Sequence, residues 1–217
     1  MTSVRGYDAV TIHFWHITES IEELQQMYKE CHGEYLKNHP IPSWIHNKHK
    51  LAARLLINFT FPKQLLKFDA EGKPFLTHLP PKESSNFRIN YSHTDNWVVL
   101  AEHPSFPIGI DIETARPKLE RVYLRFCSEK ESAWIGTKPS IKTLQQCWCA
   151  KEAVYKAIGR KGTDFRNHFY IHPFESGDRL LKMDVYRPEI HAEPLKSEIH
   201  FMAWQNCEIA YSVLKEV

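Results

Sequence analysis

The chain has 217 residues, 28 lysines and arginines against 26 aspartates and glutamates, 13 histidines and 5 cysteines. At roughly 100–200 residues per domain this length makes one large domain or two small ones, and the near balance of charge excludes a dedicated nucleic-acid binder. Odd-numbered cysteines without a CxxC pair fit neither a disulfide framework nor a zinc site, and no apolar run reaches the ~18 residues a membrane span needs. A reduced cytoplasmic protein without a secretory leader is expected.

Taken in chain order, Val10–His16 reads as a strand and Ser20–Lys37 as a helix with Ser20 as N-cap. After a loop holding Pro40 and Pro42, residues 47–59 set Leu51, Leu55 and Leu56 against a basic edge of Lys48, His49, Lys50 and Arg54, which predicts an amphipathic helix. Gly72-Lys73-Pro74 marks a turn, and Pro80-Pro81 an irregular stretch. Residues 87–91 and 97–102 read as strands flanking a polar turn, Ser92 to Asn96, and Ile108–Glu113 as a short alternating strand. Ser128 followed by Glu131 is a capping-box pattern that starts a helix, and Leu144–Ile158 forms the clearest helix, closed by Gly159. Strand-like stretches follow at 169–172, 180–186, 198–204 and 208–214. Each half offers a helix and several strands, so two similar α+β halves, 1–107 and 108–217, fit the length.

Chemistry concentrates in three places. In Gly109-Ile110-Asp111-Ile112-Glu113, residues two apart share a face, so Asp111 and Glu113 set two carboxylates side by side while the isoleucines enter the core. Adjacent carboxylates repel unless a cation lies between them, and hard oxygen ligands suit magnesium, manganese or calcium. On the later helix, Trp148, Glu152 and Lys156 fall on one face at i, i+4 and i+8. They could form a surface ion pair, or supply a third oxygen ligand or proton acceptor and a cation for phosphate. His93, in Asn90-Tyr91-Ser92-His93, could hold a phosphate oxygen or be an ordinary loop histidine.

Together these blocks resemble the 4'-phosphopantetheinyl transferase family, of the large surfactin-synthetase-activating type. Ile108 to Glu113 matches its I/V-G-I/V-D-x-E block, and Trp148 to Lys156 its W/F-S/C/T-x-K-E-S/A-x-x-K block, at every specified position. Gly72-Lys73-Pro74, Asn90 to His93, Phe126 to Glu131 and Gly159-Arg160-Lys161-Gly162 resemble further blocks in the family's order, so the match spans about residues 70–170. The resemblance implies a pseudo-dimer of two α+β halves with the active site between them: residues 1–107 on the coenzyme A nucleotide side, 108–217 on the metal and catalytic side. It implies magnesium (or manganese), coenzyme A as donor, an apo acyl carrier protein or peptidyl carrier domain as acceptor, and 3',5'-ADP as product. Asp111, Glu113 and Glu152 would hold the metal, with Asp111, Glu152 and Lys156 catalytic. Arg54, Lys73, Pro74, Ser92, His93, Lys151 and Lys156 would bind coenzyme A, and Leu119, Val122, Tyr123 and Phe126 would dock the carrier. A monomer with no nucleic-acid or membrane partner is expected. A magnesium nuclease fits poorly, because Glu152 and Lys156 lie on a helix rather than two apart on a strand. A non-catalytic relative would lack an acid or lysine that is present here.

Overall fold

The computed structural model describes residues 1–37, 40, 42–62, 64–78, 88–160, 162–187 and 193–215. Pro80-Pro81, Phe87 and Lys161 of the sequence expectations lie outside the described residues. The N-terminal portion runs β1 (Thr2–Arg5), β2 (Thr11–His16), α1 (Ile21–Leu36), a 3₁₀ turn (Ser43–His46), α2 (Lys48–Thr60), β3 (Gln64–Phe68), β4 (Pro74–His78), β5 (Arg88–Thr94) and β6 (Trp97–His103). Its strands form one antiparallel sheet in the order β1-β2-β6-β5-β4-β3. The C-terminal portion runs β7 (Ile108–Thr114), α3 (Leu119–Val122), a 3₁₀ turn (Tyr123–Arg125), α4 (Glu129–Ile135), α5 (Ile141–Ile158), α6 (Phe165–His168), β8 (Phe169–Ile171), β9 (Leu180–Val185), β10 (Leu195–Trp204) and β11 (Cys207–Val213). Its sheet is also antiparallel, in the order β7-β11-β10-β9-β8. The fold is α+β.

Three apolar clusters hold these layers together. Leu24, Leu51, Leu55 and Leu56 of α1 and α2 pack on Ile89, Val98 and Leu100 of the first sheet. Leu144, Ala150, Ala153 and Val154 of α5 pack on Met183, Ile199 and Ala210 of the second. Between the sheets, Ile12, Phe14, Val99 and Ala101 meet Ile108, Ile110, Ile112 and Ile209. The period of two along β7 therefore sends its isoleucines into the inter-sheet core and turns Gly109, Asp111 and Glu113 toward α5.

The local signals act through identifiable bonds. Ser20 and Glu23 form a reciprocal capping box at the start of α1, with Ser20 N–H donating to Glu23 Oε2 at 2.7 Å and Glu23 N–H to Ser20 Oγ at 3.1 Å. Ser128 and Glu131 do the same for α4. Helix α5 begins three residues earlier than its apolar pattern, because Ser140 caps it by accepting from Thr143 N–H at 3.0 Å. It ends at Gly159, whose φ of 68° is the left-handed conformation of a C-cap glycine.

The polar turn expected at Ser92–Asn96 is shorter. Ser92, His93 and Thr94 belong to β5 and pair with Val99, Val98 and Trp97, leaving Asp95 and Asn96 as the turn, with Asp95 at φ 42°. The strands Thr2–Arg5, Gln64–Phe68 and Pro74–His78 were not foreseen. They are short and lie at or next to a sheet edge, where one-sided burial leaves little apolar pattern to read.

Candidate functional site

Three sequence blocks meet where β7 passes between β5 and α5. Strand β7 is the edge of the second sheet, and its approach to α5 is set by Gly109. A β-carbon there would stand 1.9 Å from the Ala153 carbonyl oxygen and 2.5 Å from Ala157 N, so only glycine lets the helix lie this close. On the other side, Asn90 Oδ1 accepts from Ile110 N–H at 3.3 Å. Asp111, nearly buried, accepts on Oδ1 from Ser92 Oγ at 2.8 Å and from Lys156 Nζ at 2.7 Å. Lys156 also donates to Ser92 Oγ and to the Ile110 carbonyl. Asp111, Ser92 and Lys156 thus form one bonded cluster drawn from β7, β5 and α5.

The neighbouring acids are strained electrostatically. Burial, and then the nearby Asp111 charge, pushes Glu113 up to about 7, with Arg116 opposing. Glu113 Oε1 accepts from Trp148 Nε1 at 3.2 Å. Arg116 Nη2 stands 2.5 Å from Oε2, but outside hydrogen-bonding geometry. Burial also raises Glu152, with Lys156 opposing and Asp111 reinforcing. For Lys156, burial disfavours the charge, but Asp111 and Glu152 outweigh it and the pKa is raised. Lys156 is therefore a committed cation.

Asp111 acts on both Glu113 and Glu152, yet the three acids are not a ready-made ligand set: among the described residues, no three histidine, cysteine, aspartate or glutamate side chains are gathered as a metal cluster. Lys156 and Arg116 stand against Asp111 and Glu113 instead. A divalent cation nevertheless fits the donor chemistry. Asp111 Oδ2 is a buried oxygen with no hydrogen-bond donor, Glu113 Oε2 beside it faces only the Arg116 guanidinium, the two acids share one face of a strand, and hard cations take such ligands.

His93 lies on the α2 side of β5, with its ring stacked on His49 at 4.4 Å between centroids and 5° between planes. Partial burial first, then His49 and Lys156, push it down to about 4, so it is neutral near pH 7. Lys73 and Pro74 line a cavity of about 260 Å³ together with Asp69, Phe75, Arg88 and Ile89. Burial, then Arg88, pushes Lys73 down to about 8, and its ammonium donates to the Ala157 carbonyl near the end of α5. Arg54 is held apart from these, its guanidinium 4.1 Å from the Trp44 ring centroid and 5.3 Å from that of Phe68.

Two groups of sequence expectations are corrected. Lys151 is fully buried and bonds to none of Ser92, Asp111 or Glu113. Its ammonium donates to Glu131 Oε2 and the Phe126 carbonyl at 2.7 Å, and to the Phe165 and Phe169 carbonyls at 2.9 and 3.2 Å, leaving no proton for a ligand. Glu131 in turn accepts from Ser128 N–H and Ile171 N–H. Leu119 and Phe126 are core residues, 4% and 3% exposed, and Val122 and Tyr123 pack half-buried against the same core. The exposed apolar side chain of that stretch is Leu124, 56% exposed, between the exposed Arg121 and Arg125.

The sequence reading also missed Arg116, His49 and Arg88 as neighbours of these groups. Arg116 carried a local signal, as the cation three residues after Glu113, and His49 lay in the basic edge read on α2.

This fold and site define an α+β protein of two antiparallel sheets whose junction carries paired carboxylates and a lysine. Residues 107–210 match the 4'-phosphopantetheinyl transferase superfamily. The 4'-phosphopantetheinyl transferase gsp of Aneurinibacillus migulanus is 28% identical over 142 residues, which cover 64% of this chain and 56% of that protein. A 4'-phosphopantetheinyl transferase of Bacillus subtilis is 35% identical over 92 residues, covering 41% and 38%. The L-aminoadipate-semialdehyde dehydrogenase-phosphopantetheinyl transferase of Xenopus laevis is 30% identical over 131 residues, covering 52% and 43%. The chain spans about half the length of the curated relatives it matches. The family match covers just under half of the chain and takes in both the Asp111–Glu113 and the Glu152–Lys156 blocks.

Proposed function

We propose that this chain moves the 4'-phosphopantetheine group of coenzyme A onto a serine of an apo acyl or peptidyl carrier protein, releasing 3',5'-ADP. The observation that carries this is the bonded cluster of Asp111, Ser92 and Lys156, which joins three of the family's blocks at one point. In this reading residues 1–107 are the nucleotide-binding half and 108–217 the metal and catalytic half, and the protein acts as a cytoplasmic monomer.

Serine is a weak nucleophile and needs a base. Glu152, raised by burial and beside Lys156, takes the serine proton as the serine Oγ–phosphorus bond forms and the phosphorus–oxygen bond to 3',5'-ADP breaks. Lys156, held charged by Asp111 and Glu152, offsets the negative charge that grows on the departing oxygen. Neutral His93 donates to a phosphate of the nucleotide half, and Lys73 and Pro74 frame the adenine cavity with Arg88. Asp111, Glu113 and Glu152 would hold magnesium, with manganese a substitute. When bound, the ion neutralises pyrophosphate charge. An acidic carrier surface suits Arg121 and Arg125 around Leu124.

The test is mass spectrometry of apo acyl and peptidyl carrier proteins incubated with the chain, coenzyme A and magnesium. One phosphopantetheine mass should be added; no shift on any carrier would refute the assignment.

A further inference from the structure

His93 lies on β5, an interior strand of the first sheet, with its ring partly exposed, and among the described residues no hydrogen bond fixes the plane of that ring. The neighbouring helix does so. His49, the second residue of α2, lies flat against His93 with its centroid 4.4 Å away and its plane turned by only 5°. His49 is itself anchored, since its Nε2 contacts the Asp95 carbonyl. A carbonyl only accepts, so Nε2 carries the proton. Asp95 is the φ 42° residue of the β5–β6 turn, and its Oδ2 accepts from Thr114 Oγ1 at 2.8 Å at the end of β7. The backbone start of α2 is fixed as well, because Asn47 Oδ1 accepts from Lys50 N–H at 2.9 Å. A continuous set of bonds thus runs from β7 through the hairpin turn to His49, and ends on the face of His93.

We infer that His49 is a positioning residue for His93, holding its imidazole in one plane beside Lys156 and Asp111 so that it meets the phosphates of coenzyme A without first losing rotamer freedom. This rests on the proposed transfer reaction, which supplies the phosphate ligand. His49 touches neither the reacting atoms nor the metal-binding acids in this account. A stacked aromatic neighbour strengthens a site chiefly by restricting the side chain it covers. The depressed basicity of His93 agrees with the stack, because two imidazolium rings face to face would repel.

Coenzyme A binding by calorimetry should weaken about three- to tenfold in His49→Ala, as expected for loss of one stacked pair. His49→Phe, which keeps a flat ring but loses the anchor, should recover most of that affinity. Turnover at saturating coenzyme A should stay near the parent value. In a His93→Ala background, the further change His49→Ala should have no effect on affinity, since coupled positions are not additive. Without any ligand, the ring C–H signals of His93 in an NMR spectrum should move when His49 is replaced by alanine. Equal affinity in the parent and His49→Ala, an undiminished loss in the His93→Ala background, or unmoved His93 signals would overturn the assignment. Failure of the unmodified protein to bind coenzyme A at all would instead overturn the proposed function, so the two failures are distinguishable.

Discussion

Gly109 and Ala153 approach so closely that a single added β-carbon would stand 1.9 Å from the helix carbonyl. The Gly109→Ala variant must push α5 away from β7. Overpacking of this kind costs about 1–3 kcal/mol, and here the obstructing atoms are backbone and cannot rotate aside. Urea denaturation should show that loss. Because the displaced helix carries Glu152 and Lys156, carrier modification should fall further than the folded fraction does.

Asp111→Asn keeps the shape of the side chain but removes the charge opposite Lys156. It should abolish magnesium-dependent transfer while leaving a folded protein, measured by product mass and circular dichroism. Glu152→Gln should lose about 10²–10⁴-fold in turnover, the usual worth of a general base, with coenzyme A affinity little changed. Normal turnover would remove Glu152 from the proposed chemistry.

Glu113 gives a pH prediction. Its pKa in the folded chain is about 7 against an ordinary value of 4.5. Between those values the folded state holds a proton that the unfolded state has released, so stability falls as pH rises through this window and stays lowered above 7. The shift corresponds to about 3 kcal/mol, at 1.36 kcal/mol per pH unit. Glu113→Gln should flatten the decline. Denaturation midpoints at pH 5 and pH 8 measure it, and equal slopes for both proteins would contradict a carboxyl raised by burial.

Lys151→Met should destabilise by about 3–5 kcal/mol, because it strands Glu131 in the core without its cation. The melting temperature should drop sharply. At a temperature where the variant is folded, its Michaelis constant for coenzyme A should match the parent. A selective rise in that constant would restore Lys151 to the substrate site.

Leu124→Glu should raise the Michaelis constant for an acidic carrier and leave that for coenzyme A unchanged, since the side chain is exposed and flanked by arginines. An equal effect on both would place the carrier elsewhere.

The parts of this molecule that the sequence disclosed are those governed by short periods. The isoleucines of β7 alternate with Gly109, Asp111 and Glu113, and the capping serines mark where α1 and α4 begin, all within a few residues. Lys151 was misjudged because a charged residue in a chemical motif invites a ligand, whereas its helical neighbours Cys147 and Val154, four before and three after, are buried. Its acceptors come from Phe126, Glu131, Phe165 and Phe169, which no local pattern connects. Leu119 and Phe126 have the composition of a docking patch and the burial of a core, and only the tertiary contacts decide between them. The His49–His93 stack joins residues 44 apart from different elements, beyond the reach of any periodicity.

The Asn90 amide bound to Ile110 has a mechanical consequence. The Ser92 hydroxyl donating to Asp111 and the Lys156 ammonium donating to Ser92 tie β5 to β7 and α5 as well, so the two sheets cannot separate here without breaking buried polar pairs. The junction at the site is therefore held by polar pairs as well as by apolar packing. Substrates should dock into a fixed aperture in one kinetic phase, and stopped-flow traces should carry no slow closing step.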